Sequence, residues 1–224
     1  PIVLRFLHMI LREKELESKA VLGLDIGCSL LAWDFLPVNT FQTHHGRVTS
    51  TMVGYKRAQP NSLSFAYTGD GGAYAIGMQS LMWAAIRNEP ITVIVVNNSN
   101  YAMTGGQQAP TSFKGQITDT SPSGCGDEPV FGPELVRQVN KKAFIARTAV
   151  NDPKQVKEYL EKAIEAQQNG NFAMVEFLSY CPLNWKTVGI GLAFQLVIAI
   201  GVLKVSLIQN IFEAVGQVFI SILE

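Results

Sequence analysis

The sequence predicts an α/β fold, a mostly parallel sheet with helices on both faces, carrying an apolar helical tail at its C-terminus. Three observations predict it. Short β-rich runs alternate with segments of helical periodicity, the rhythm of β-α-β units. One run, ITVIVVN (91–97), is apolar on both faces, as strands are when helices cover a parallel sheet on either side. The length, 224 residues, suffices for one substantial core and an appendage.

The chain opens on PIVLRFLHMILREKEL, which reads as an amphipathic helix with proline in its first turn. It is not a signal peptide, which would need a cleavage site, and the missing initial methionine leads us to expect a segment upstream. AVLGLDIG (20–27) is the first strand. Residues 45–58, HGRVTSTMVGYKRA, are of helix length though ambiguous in propensity, and QPNS closes them with turn residues. LSFAYT (63–68) is a strand, AYAIGMQSLMWAAIRN (73–88) has helical spacing, and 91–97 follows as a strand. These three form one β-α-β unit of right-handed crossover. The stretch 104–130 is rich in Gly, Pro, Ser and Thr and too long for an ordinary connection; directly after a sheet strand it reads as a lid. AFIARTAV (143–150) leads to Asp152 as N-cap and Pro153 at the first helical position, opening KQVKEYLEKAIEAQQ. FAMVEFL (172–178) is the last strand.

Eighteen basic residues balance eighteen acidic ones, so charge gives no case for nucleic acid or an acidic partner. Three cysteines at irregular positions, an odd number, make no disulfide framework and suit a reducing cytoplasm.

The chemistry concentrates at TGDGGAYAIG (68–77). Glycines between strand and helix suit a phosphate, but a dinucleotide fingerprint wants a third glycine where this chain has Tyr74, and no Gly-Lys-Ser/Thr follows for a nucleoside triphosphate. Asp70, between Gly69 and Gly71, ends one strand, and Asn97-Asn98 ends the strand after the next helix. Both therefore reach the carboxyl edge of a parallel sheet, where open α/β sheets bind ligands. A carboxylate, an amide oxygen and a nearby backbone carbonyl form a hard-oxygen set suited to magnesium, which completes its octahedron with phosphate oxygens and water. The helix from Ala73 turns its N-terminus toward the phosphates. The ligand read from these residues is a magnesium-bound diphosphate. Either motif alone is the ordinary chemistry of a tight turn; both together, spaced by one β-α-β unit, favour the site. Asp70 is expected at the surface edge of the sheet.

Gly-Asp-Gly followed at this distance by Asn-Asn is the thiamine diphosphate motif. The flanks, with DIGCSL, FQTHHGRV and CPLNW, resemble the β subunit of the 2-oxoacid:ferredoxin oxidoreductases over roughly residues 1–186. The resemblance implies a thiamine diphosphate-binding fold in which Asp70 and Asn98 bind Mg2+ with the Asn100 carbonyl. It further implies that Gly69, Gly71, Gly72 and Ala73 contact the diphosphate, with Ser29, His45, Tyr101, Met103 and Thr104 around the cofactor and His45 as the catalytic candidate. In such enzymes (pyruvate, 2-ketoisovalerate or 2-oxoglutarate being the 2-oxoacid) the cofactor attacks the 2-oxo carbon. Electrons left by decarboxylation pass through iron–sulfur clusters to ferredoxin, and coenzyme A takes the acyl group. The glutamate that activates the cofactor sits on a pyrimidine-binding module of an α-type subunit; no glutamate here lies in a matching motif.

Cys28 and Cys181 match two of the four thiolates that hold a 4Fe-4S cluster in that family, the Cys-x-x-Cys pair falling upstream of the first residue here, so the cluster is expected to be incomplete. On the residues alone, buried cysteines acting as small hydrophobes remain the alternative, and Cys125 matches nothing. Two further functional readings stand beside this one: the diphosphate-binding module of a non-redox thiamine enzyme (a decarboxylase or synthase), and a non-catalytic assembly subunit that kept the fold.

The resemblance divides the chain into 1–186 and a tail, 187–224. Residues 188–203 are an apolar run broken by Gln195, shorter than the ~20 residues a membrane span takes. From Leu203 to Ile222 apolar residues recur at helical spacing. Docking onto the domain or a partner is the preferred reading, ahead of a membrane anchor and a non-native end.

Overall fold

A computed structural model describes residues 2–179 and the helix 185–204, within two compact units, Pro1–Cys181 and Pro182–Glu224. The first unit is built on a sheet of six parallel strands in the order β2-β1-β3-β4-β8-β7. These are β1 (Ala20–Leu24), β2 (Asn39–Gln42), β3 (Leu63–Gly69), β4 (Thr92–Asn97), β7 (Phe144–Ala149) and β8 (Ala173–Leu178).

Strand alternation explains why the central strands read as continuous apolar runs. On β1, β3, β4 and β8, one set of side chains (Leu22, Leu24, Phe65, Ile94, Val175, Phe177) packs beneath α1 (Ile2–Glu13) and α5 (Pro153–Gln168). The intervening set (Val21, Ala66, Val93, Val95, Met174) packs beneath α2 (Val48–Ala58), α3 (Met78–Ile86) and α4 (Gly132–Val139). With both faces covered, no strand position needs to be polar for water. α1 presents Val3, Leu4, Leu7, Ile10 and Leu11, a stripe at helical spacing, and all five are buried. The Asp152 carboxylate accepts from the Gln155 N–H at 3.1 Å, capping α5 as its sequence predicts.

Several boundaries differ from the sequence expectation. β1 stops at Leu24, and Asp25, whose N–H still bonds to the Tyr67 carbonyl at 3.0 Å, turns its side chain into the site described below. The expected helix 73–88 begins instead with a π-helical turn, Gly72–Ile76, before α3 proper. The edge strand β2, the short helix α4 and a two-residue-per-strand antiparallel hairpin leading into the lid, β5 (Asn100–Tyr101) with β6 (Gln107–Gln108), are additions to the elements expected from the sequence.

The second unit contains α6 (Trp185–Lys204), whose side chains at Ile190, Leu192, Phe194, Leu196, Val197, Ile198 and Ile200 are exposed. Among the described residues no helix is long and apolar enough to cross a membrane. Cys181 and the expected helical face from residue 205 to Ile222 lie outside the described residues.

Candidate functional site

β1 has β2 on one side and β3 on the other, and the strands that follow β3 continue away from β2. The crossovers leaving the carboxyl ends of β1 and β3 thus diverge, which opens a crevice there. A cavity of about 560 Å³ occupies this end of the sheet. Its wall carries Cys28, Ser29 and His45 on one side, the turn Gly69–Gly72 below, and Asn98 and Asn100–Thr104 on the other.

Asp70 follows β3 and is 3% exposed, which corrects the expectation of a surface position. The reason is the lid. Thr111, buried within it, donates its hydroxyl to Asp70 Oδ2 and seals the carboxylate from solvent. Burial pushes the Asp70 carboxyl above its ordinary range, opposed by the hydrogen bonds from Thr111 and from backbone N–H groups, with Glu176 nearby adding to the upward push.

Asn97 and Asn98 divide their labour by side. Asn97 turns inward: its Oδ1 accepts the Ser99 N–H at 2.9 Å, an Asx turn, and its Nδ2 donates to buried Glu176 at 3.2 Å. Ser99 sits at φ 57°, which folds the chain back and brings the Asn100 carbonyl beside the Asn98 amide. The outer atom of that amide lies 2.8 Å from the Asn100 carbonyl oxygen and 3.2 Å from Asp70 Oδ1. With the amide oxygen on that side, three oxygens face one another with no hydrogen between them. With the amide turned over, its nitrogen donates to both. The first arrangement demands a cation and the second satisfies the cluster without one, so the donor set fits a hard divalent ion. The lid also holds this arm, since Ser112 Oγ and Gln116 Nε2 donate to the Ser99 carbonyl at 2.7 and 3.1 Å.

Glycine is required in the turn by close approach. A Cβ on Gly71 would stand 2.0 Å from Tyr101 Cε1, and one on Gly72 would stand 1.8 Å from Asp25 Oδ2 and 2.6 Å from Thr68 Oγ1. Gly69 has far more room, its nearest neighbour being the Val96 carbonyl at 3.9 Å. Burial and the Asp70 charge both raise the Tyr101 phenol's pKa, which keeps it a neutral wall of the cavity.

Of the residues singled out in the sequence, Ser29, His45, Gly69, Asp70, Gly71, Gly72, Asn98, Asn100, Tyr101, Met103 and Thr104 line the one cavity, with Cys28. Ala73 does not; it packs into the core with Tyr74, Leu81 and Val95. Cys125 is buried in the lid, and no group of three His, Cys, Asp or Glu able to hold a metal exists among the described residues. Sequence reasoning missed Asp25, Thr111 and Glu176. Asp25 carried a usable signal, an acidic residue directly after an apolar strand, the same that marks Asp70. Thr111 and Glu176 carried none, because their roles depend on a lid fold and on a strand pairing made far along the chain.

Residues 25–177 match the thiamine pyrophosphate enzyme family, C-terminal TPP binding domain. Residues 181–224 match a second family, the N-terminus of Na+ dependent nucleoside transporters. The chain is 34% identical over 180 residues to the ketoisovalerate oxidoreductase subunit VorA of Methanothermobacter thermautotrophicus, covering 77% of this chain and 38% of that one. It is 38% identical over 166 residues to the 2-oxoglutarate synthase subunit KorB of Archaeoglobus fulgidus, covering 74% and 60%. A structure of the 2-oxoglutarate:ferredoxin oxidoreductase from Magnetococcus marinus, with 2-oxoglutarate, coenzyme A and succinyl-CoA bound, is similar with a TM-score of 0.72 at 26% identity, covering 81% of this chain and 62% of that one. The chain thus spans less than two thirds of the length of each of these proteins. The first family match holds both arms of the oxygen cluster, the glycine turn and the lid, and it covers more than half of the chain. The chain belongs to the thiamine pyrophosphate enzymes through their C-terminal TPP binding domain, in the form carried by the 2-oxoacid:ferredoxin oxidoreductase β subunits.

Proposed function

We propose that the chain is the thiamine diphosphate- and Mg2+-binding subunit of an enzyme that oxidatively decarboxylates a 2-oxoacid to an acyl-CoA and passes the electrons through iron–sulfur clusters to ferredoxin. The observation that carries this reading is the convergence of Asp70 Oδ1, the Asn98 amide and the Asn100 carbonyl at the mouth of a glycine turn. Relatives named for ketoisovalerate and 2-oxoglutarate support the substrate class, a 2-oxoacid.

In this reading Asp70, Asn98 and Asn100 would hold the ion, and backbone N–H groups of Gly69–Gly72 and Ala73 would donate to the diphosphate at a helical N-terminus. When bound, the cofactor would supply the electron sink that decarboxylation of a 2-oxoacid needs. The chain's own residues do the rest on their side. Ser29, Tyr101, Met103 and Thr104 would fix the cofactor's orientation, Thr111 in the lid keeps solvent from the second oxygen of Asp70, and His45 would meet the reacting end as a hydrogen-bonding group. The activating glutamate comes from an α-type subunit, so turnover requires that partner. Among the described residues Cys28 is the one thiol in the cavity wall, and Cys181 lies beyond them. The cysteine usage supports a cytoplasmic setting. The tail is read as a separate appendage, supported by a distinct family match that begins at residue 181.

The test is calorimetry of thiamine diphosphate with the full chain, with and without Mg2+, and then a 2-oxoacid assay of the chain in complex with its native partners. Mg2+-dependent binding that Asp70→Ala abolishes, with coenzyme A-dependent electron transfer to ferredoxin in the complex alone, is the expected result. Cofactor affinity indifferent to Mg2+ or to Asp70→Ala would overturn the assignment. Binding without any redox activity in the complex would favour a non-redox thiamine enzyme.

A further inference from the structure

Asp25 is fully buried at the end of β1, and its carboxylate is occupied on both oxygens. Oδ1 accepts the Gly46 N–H at 2.7 Å and Oδ2 accepts the Thr68 hydroxyl at 2.8 Å. His45 Nδ1 lies 3.4 Å from the same Oδ2, is itself shielded from solvent, and has no aligned hydrogen-bond partner. The segment carrying His45 is fixed on either side. Thr43 bonds to the Leu24 carbonyl through both its N–H and its hydroxyl, and the Arg47 N–H donates to the His44 carbonyl. Gly46, at φ 71°, has no room for a side chain against Ile76 and Gly77. The backbone that carries the imidazole is therefore held in place beside the carboxylate.

A bare Nδ1 lone pair aimed at a buried carboxylate oxygen is repulsive, and an Nδ1–H in the same place is attractive. We propose that Asp25 is a positioning residue for His45: it holds Nδ1 as the N–H and thereby leaves Nε2, on the side of the ring that lines the cavity, as an acceptor for a proton or hydrogen bond from a bound ligand. What Nε2 meets rests on the proposed function; the tautomer does not, being a property of the chain itself. Asp25 also touches the cofactor turn through Thr68 and through its close approach to Gly72, so one carboxylate sets both the imidazole and the turn.

Nitrogen-15 NMR of the full chain labelled in its three histidines reads the tautomer directly, with His45→Gln to assign the signals. The expected result is a protonated-type Nδ1 and an acceptor-type Nε2 at His45 in the unliganded wild type. Asp25→Asn has one oxygen, which the Gly46 N–H claims. Its NH2 then faces Thr68 and His45, and the tautomer should reverse. Thr68→Val keeps the carboxylate and should leave the tautomer unchanged. An Nε2–H His45 in the wild type overturns the proposal, and this arm needs no folded Asp25→Asn. In the assembled enzyme, Asp25→Asn should lower kcat by about tenfold or more, the scale of a misplaced acid–base group. A reversed tautomer with unchanged kcat would overturn the role in turnover. Failure of the wild type to bind cofactor would sink the proposed function and leave the tautomer result standing.

Discussion

Tyr74, the residue that rules out a dinucleotide fingerprint, holds together the far side of the site. Its hydroxyl donates to Glu176 Oε1 at 2.8 Å, with the tyrosine 3% and the glutamate 1% exposed. Arg147 ion-pairs with Glu176 Oε2 and extends to Glu134 at 2.6 and 2.8 Å, tying α4 to β7 and β8. Tyr74→Phe removes a hydrogen bond to a charged group, worth about 1.5–3 kcal/mol. Because Asn97 still donates to the same oxygen at 3.2 Å, the cost should fall near the lower end, about 1.5–2 kcal/mol. For a unit of this size that is a fall in Tm of roughly 3–8 °C. Urea unfolding followed by circular dichroism measures it without cofactor or partner, and the slope with urea should not change. The pH dependence has a defined sign. Burial, and secondarily Glu176, raise the pKa of the Tyr74 phenol well above its ordinary value of about 10. The stabilisation is therefore complete below about pH 10 and is lost as pH rises beyond it, so the gap between wild type and Tyr74→Phe should be constant below that value and narrow above it. A difference below about 0.5 kcal/mol, the range of an ordinary surface substitution, would refute the account of this network.

The glycine turn and the lid give two further expectations. Gly72→Ala drives a methyl group into Asp25 and Thr68 and should cost about 1–3 kcal/mol as an overpacked position, with loss of cofactor binding; Gly69→Ala, which meets nothing nearer than 3.9 Å, should cost less, and thermal melts of the pair check the order. Thr111→Val leaves Asp70 Oδ2 without its lid donor, so limited proteolysis should cut within 104–130 faster than in the wild type, and calorimetry should show weaker Mg2+-dependent binding by about 1–2 kcal/mol.

The sheet and the oxygen cluster were legible because local physics determines them. Apolar runs such as 91–97 declare strands buried on both faces, and a carboxylate after one strand with amides after the next declares a ligand edge. The edge strand β2 was hidden because NTFQ is half exposed and carries neither alternation nor a β-branched run. The helix α4 was hidden because GPELVRQV is only eight residues long, too short for its one large buried apolar side chain, Val136, and its polar face to stand out from the Gly/Pro-rich stretch before it. Asp70's burial was invisible for another reason: the group that covers it, Thr111, lies in a Gly/Pro-rich stretch whose path is set by side chain-to-backbone bonds such as Ser112 to Ser99, not by any periodic pattern.

Asp25 and Glu176 together explain how a glycine turn with almost no side chains holds a fixed shape. Glycines at 69, 71 and 72 leave the backbone free to approach a ligand, and by themselves they would also leave it free to move. The segment is pinned at each end by a hydroxyl donating to a buried carboxylate: Thr68 to Asp25, from the end of β1, and Tyr74 to Glu176, from β8. Asp70 stands between the two anchors, with the lid's Thr111 on its second oxygen. Each anchor reaches further. Asp25 takes in the His45 turn, and Glu176 takes in Asn97, whose neighbour Asn98 completes the oxygen cluster. The two arms of the cluster thus share one support in Glu176, so their spacing is fixed by the sheet beneath them before any ion arrives, and little ordering remains to oppose binding.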